Sequence, residues 1–141
     1  MPLLNLKAIV AAAALSLLPL VALPLSAQEP GLARPNLVIK EGVAGLPKTD
    51  KVEISVLTAT FKPGDKTPFH THRHPVTVYV LAGAFTLEME GRDPIVLKSG
   101  GAMVEPPNVR MTGYNRSTTE ETKVVIFYVS EPGLPFLDPV K

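Results

Sequence analysis

From about residue 37 to residue 130, apolar residues fall into short runs that are closed by turn residues roughly every eight to twelve positions. That spacing predicts an all-β chain folded as a sandwich or barrel. Val52 to Phe61 (VEISVLTATF) is rich in β-branched residues and stops at Lys62-Pro63-Gly64-Asp65, a proline and glycine turn. Val76 to Leu81 (VTVYVL) follows Pro75 and ends at Ala82-Gly83. Ala84 to Glu90 (AFTLEME) then alternates cleanly, with Phe85, Leu87 and Met89 on one face and Thr86, Glu88 and Glu90 on the other. Glu88 and Glu90 read as a solvated sheet surface rather than as a pair of catalytic carboxylates. Ile95 to Lys98, Ala102 to Glu105 and Lys123 to Ser130 (KVVIFYVS) complete the predicted strands, and no stretch has a helical period.

The chain before this region is different. Met1 to Lys7 is short with one cation, Ala8 to Leu25 is apolar throughout, and Leu25-Ser26-Ala27 ends in a small residue before polar Gln28-Glu29-Pro30. This order predicts a secretory signal peptide, residues 1–27, cut after Ala27, with Pro19 and Pro24 breaking the apolar helix near its end. The expected product is periplasmic or extracellular and keeps no stable membrane anchor after cleavage. Gln28 to Asn36, with Pro30, Gly31 and Pro35, reads as a linker or loose arm over residues 28–36, and order is expected to begin near Leu37, giving one domain over residues 37–141.

Composition narrows the function classes. Beyond Ala27 the chain carries 13 Lys plus Arg against 13 Asp plus Glu, so nothing advertises a nucleic-acid or anionic-membrane partner. With no cysteine there is neither a disulfide framework nor a thiolate nucleophile or ligand. Val76 to Leu81 and Lys123 to Ser130 are apolar on both faces, so each needs cover inside and outside the sheet. A homodimer would supply the outer cover.

The candidate chemistry is the cluster His70-Thr71-His72-Arg73-His74, which holds all three histidines of the chain. In extended backbone, residues two apart share a face about 7 Å apart, so two imidazoles converge on one ion at about 2.0–2.1 Å each. Two neutral imidazoles suit zinc, copper, nickel or iron and need further ligands from elsewhere. A plain hydrophilic loop is the alternative for histidines standing alone.

Together with its flanks, the cluster resembles the cupin superfamily. The first motif of that family is Gly, five residues, His-x-His, three or four residues, Glu, six residues and Gly. Gly64, His70-Thr71-His72, Val76 and Gly83 match its spacing with valine in place of the glutamate. The second motif is Gly, five residues, Pro-x-Gly, two residues, His, three residues and Asn. Gly100, Pro106-Pro107-Asn108, Met111 and Asn115 match it, with Asn108 for the glycine and Met111 for the histidine. The resemblance implies a single-domain jelly-roll β-barrel, and it implies that His70 and His72 are the two retained ligands of a divalent-metal site.

What occupies that site is left open by the residues. His74 or Met111 would complete a reduced set, and a thioether with two imidazoles suits copper, while zinc or nickel fits imidazoles alone. Equally, Met111 and Val76 together would be apolar fillers of a barrel that holds no metal. The first expected function is a binding barrel for a metal ion or a small-molecule ligand, its mouth lined by His70, His72, Val76, Met111 and Tyr114. The alternative is a metal-dependent enzyme of the oxygenase or isomerase type. A third reading is metal-free proton transfer from a histidine partnered by Tyr114 or Tyr79.

Overall fold

The protein is described here by a computed structural model covering residues 31–141. The expected signal peptide and the first residues of the expected arm lie outside the described residues. Nine strands follow in order: β1 (Glu53–Phe61), β2 (His70–Thr71), β3 (Val76–Ala82), β4 (Ala84–Met89), β5 (Ile95–Lys98), β6 (Ala102–Glu105), β7 (Met111–Tyr114), β8 (Thr122–Ser130) and β9 (Asp138–Pro139). They form two antiparallel sheets, of order β1-β8-β3-β6 and β5-β4-β7-β2-β9. The fold is all-β, as the alternation predicts.

Period-two alternation decides which side of each strand is dry. In β8, Val124, Ile126 and Tyr128 are buried; in β3, Val76, Val78 and Val80 are; in β4, Phe85, Leu87 and Met89 are. These residues, with Phe61, Met103 and Met111, form one apolar core between the sheets, and the Phe61 and Phe85 rings meet across it at 5.6 Å. Outward on β3 and β8 lie Thr77, Tyr79, Val125 and Phe127, which border a groove with Asn36 to Ile39.

Residues 37–52 contain no strand, and the first strand begins at Glu53, one residue after the predicted start at Val52. Three short strands, β2, β7 and β9, lie outside the predicted set: β2 and β9 have two residues each, too few to display a period, and β7 (Met111–Tyr114) is interrupted by Gly113. Among the turns, Gly83 leaves no choice of residue. It holds φ at 74°, and a Cβ there would sit 2.5 Å from the Glu121 carbonyl oxygen.

A buried histidine and glutamate cluster

The turn after β1 sets the start of the site. Asp65 accepts the Lys62 N–H and donates its own N–H to the Lys62 carbonyl, closing the reversal at Pro63-Gly64. Thr67 then locks onto β7: its N–H donates to the Gly113 carbonyl, and its hydroxyl accepts the Gly113 N–H. The chain thereby enters β2 in register, with His70 opposite Met111 on one side and Pro139 on the other.

His70 and His72 turn inward and are almost wholly buried, at 4% and 1% exposure. Each Nδ1 lies 2.7 Å from a backbone carbonyl, that of Pro68 for His70 and that of Phe136 for His72. A carbonyl only accepts, so each Nδ1 carries a proton and each ring turns its Nε2 inward. These two nitrogens face each other at 3.1 Å. Burial pushes the His70 pKa below its ordinary value, the Pro68 carbonyl opposes the shift, and neighbouring His72 adds to it.

Glu105, at the end of β6, brings a third group. Its Oε2 stands 3.2 Å from His72 Nε2, and the residue is 4% exposed. The sequence carried a signal for it: in Ala102 to Glu105, alternation puts Glu105 on the same face as buried Met103. A carboxylate on the dry face of a strand requires a partner. His70, His72 and Glu105 form a chain of donors with His72 in the middle. Among the described residues, no three His, Asp or Glu side chains stand ready as a closed cage round one point.

The other residues expected at the site are placed elsewhere. His74 is separated from the pair because β2 ends at Thr71 and the backbone bends at Arg73 and His74, which breaks the alternation. Its Nδ1 donates to the Gly45 carbonyl and its Nε2 pairs with Glu131, so neither nitrogen is free for an ion. Glu131 is held below the usual carboxylate range by a backbone N–H and by His74. Met111 pairs in register with both His70 and Met89 and is fully buried in the apolar core. Val76 is likewise a core residue. Tyr114 faces the other way from Gly113 and lies under the Arg116 guanidinium, 4.4 Å from its ring centre; it does not line the cavity.

That cavity holds about 40 Å³ and is bordered by His70, His72, Glu105, Phe85, Phe136 and Gly113, among others. One water needs roughly 10–15 Å³ of such space, so there is room for an ion with one or two small companions. A pocket for a drug-sized molecule is several times larger. Gly113 is required here, since a Cβ would lie 2.4 Å from the Phe85 ring. A C-terminal strap closes one wall: β9 pairs with His70–Thr71, Arg73 forms an ion pair with Asp138 at 2.8 Å, and Phe136 packs on His72 with ring centres 4.8 Å apart. Tyr128 stands behind Phe136, its hydroxyl buried without a hydrogen-bond partner among the described residues.

Comparison with known proteins agrees with this architecture. Residues 57–128, just over half of the chain, match the family model described as a cupin domain. Among solved structures, an RmlC-like cupin from Shewanella frigidimarina NCIMB 400 superposes with a TM-score of 0.50 at 22% identity, over 57% of this chain and 69% of that one. A cupin-like protein from Thermotoga maritima superposes with a TM-score of 0.50 at 21% identity, over 72% and 87% of the two chains. The DMSP lyase DddQ from Ruegeria pomeroyi DSS-3 gives 0.53 at 18% identity, over 62% of this chain and only 43% of that longer one. At these identities the likeness is one of fold. No curated protein matches the sequence.

Proposed function

We propose, from the premise that this chain belongs to the cupin family, that it is an exported barrel that binds one transition-metal ion at His70 and His72. The observation that carries the reading is the pair of Nε2 atoms facing each other at 3.1 Å, each with its Nδ1 proton committed to a carbonyl. Two imidazole nitrogens this close in a buried cavity share either a proton or a cation, and a cation satisfies both. Two donors bound at right angles to one ion at about 2.1 Å stand about 3.0 Å apart, which is the spacing this pair has.

The protein's own residues prepare the site. The Pro68 and Phe136 carbonyls fix the tautomer and the rotation of the two rings, as outer partners of metal-ligating histidines do. Phe61, Phe85, Leu87 and Phe136 exclude bulk water. Zinc, nickel and copper are the ions that two imidazoles favour, and such an ion supplies a Lewis acid in a water-poor space. The small cavity limits any further ligand to a few non-hydrogen atoms. Export belongs to the same proposal, because Met1 to Ala27 has the layout of a signal peptide.

Titration of the metal-stripped protein with zinc, nickel and copper tests the reading by calorimetry. One ion per chain is expected, with binding weakened at least about 100-fold in His70→Ala/His72→Ala. No ion bound more tightly than millimolar would refute it. N-terminal sequencing of protein recovered from the periplasm of an expressing bacterium is expected to start at Gln28.

A further inference from the structure

We propose that Glu105 is the third protein ligand of this ion, and that it replaces from the neighbouring strand the glutamate whose place in the motif is taken by Val76. The inference rests on the metal-binding reading above and names its ligand set. It starts from the register: Val76 on β3 and Glu105 on β6 are directly opposed. Opposed residues of antiparallel strands have Cβ atoms about 4.5–5.5 Å apart and point to the same face. A carboxylate leaving either strand at this rung therefore enters the same part of the barrel.

The surroundings of Glu105 suit a ligand better than a structural side chain. It is buried, and its contact with a polar side chain is with His72 Nε2 at 3.2 Å. With the His72 Nδ1 proton committed to Phe136, Nε2 is the ring atom left to meet the carboxylate. Buried carboxylates are found paired or bound to metals, and here the carboxylate meets a ring nitrogen of the kind that binds metals. An ion beside His72 Nε2 resolves both contacts at once. Meanwhile Val76, relieved of the ligand role, fills the core with no exposure at all.

The ligand set this produces is two imidazoles and one carboxylate, which is the chemistry of a borderline divalent ion with positions left open. It favours zinc, nickel or iron(II) over copper(I), and it gives Met111 no part. A single carboxylate also lowers the charge of a bound divalent ion from +2 to +1, which suits burial in an apolar barrel.

The test uses zinc as the probe and calorimetry, with chelator competition, as the readout. Glu105→Gln keeps the shape and removes the charge; it is expected to weaken zinc binding about 100-fold, while Met111→Leu stays within about threefold of wild type. Thermal unfolding of the metal-free proteins shows whether each variant folds. The exchange Val76→Glu/Glu105→Val returns the carboxylate to β3 at conserved total volume, and binding within about tenfold of wild type is expected. Wild-type affinity in Glu105→Gln would overturn the proposal and leave the histidine site standing. An exchange variant that folds yet binds no better than Glu105→Val alone would overturn the transposition. If the wild type binds no ion, the metal-binding reading falls first and this one with it.

Discussion

Asn108 holds φ at 61°, in the left-handed region where a Cβ is crowded, and its N–H donates to the His72 carbonyl at 2.7 Å. Asparagine tolerates that region better than other residues with a side chain, which explains how it stands where the second motif has glycine. The turn therefore fixes the backbone of a buried histidine. Asn108→Val is expected to destabilise the metal-free protein by about 1–3 kcal/mol, and Asn108→Gly by less than about 1 kcal/mol, in urea unfolding. Equal stability of the valine variant would mean that the turn relaxes freely. At this scale the sequence was partly legible. The positions of His70 and His72 could be read from spacing, because motif spacing survives substitution of its members. His74 could not be excluded, since its separation depends on a bend at Arg73. Alternation places Glu105 on the dry face with Met103, but which groups it meets there is set by a cross-strand rung that a one-dimensional pattern does not display.

Among the elements, the C-terminal strap bears most on the site although it has almost no regular structure. It supplies the Phe136 carbonyl that orients His72, and it is held by β9 and by the Arg73 to Asp138 ion pair. A chain ending at Pro135 is expected to bind zinc about 10–100-fold more weakly, as loss of an outer partner does, with calorimetry as the check. The ion pair is exposed, so salt weakens it. Arg73 holds the Asp138 carboxyl below its usual range. Because that folded value is depressed, the contribution is present above the unfolded carboxylate range and is lost only as pH falls through the lower value. Between about pH 5 and 8 the tie responds to salt and not to protons. The long strands β1, β3, β4 and β8 were legible from alternation. β2 exists only between β7 and β9, β9 only as the partner of β2, and residues 134 to 141 carry no period at all.

For the whole molecule, the outer face of the sheet β1-β8-β3-β6 is the main unpaired surface among the described residues. Ile54, Val56 and Phe127 are 74%, 61% and 44% exposed, and Val56 lies opposite Phe127 in the register. Part of this face borders a groove with Asn36 to Ile39 of the arm, but the β1 side is bare. With equal numbers of positive and negative residues beyond Ala27, net charge does little to oppose association. A second copy is the expected cover. Sedimentation velocity at micromolar concentration is expected to give a dimer that Val56→Glu converts to monomer; a monomeric wild type would refute this. The sequence located these strands and their need for cover on both faces, but the composition of a strand does not say which face meets the core.

The position of Tyr128 has an optical consequence. The chain has no tryptophan and three tyrosines, of which Tyr79 and Tyr114 lie on outward strand faces. The Tyr128 ring is 6.3 Å from the ring of His72. Its near-ultraviolet emission is thus a built-in reporter, unobscured by indole, and ions with partly filled d shells such as copper(II) or nickel(II) quench it where zinc does not. Filling of the barrel can then be followed in the unlabelled protein, with Tyr128→Phe as the control that leaves only the emission of Tyr79 and Tyr114.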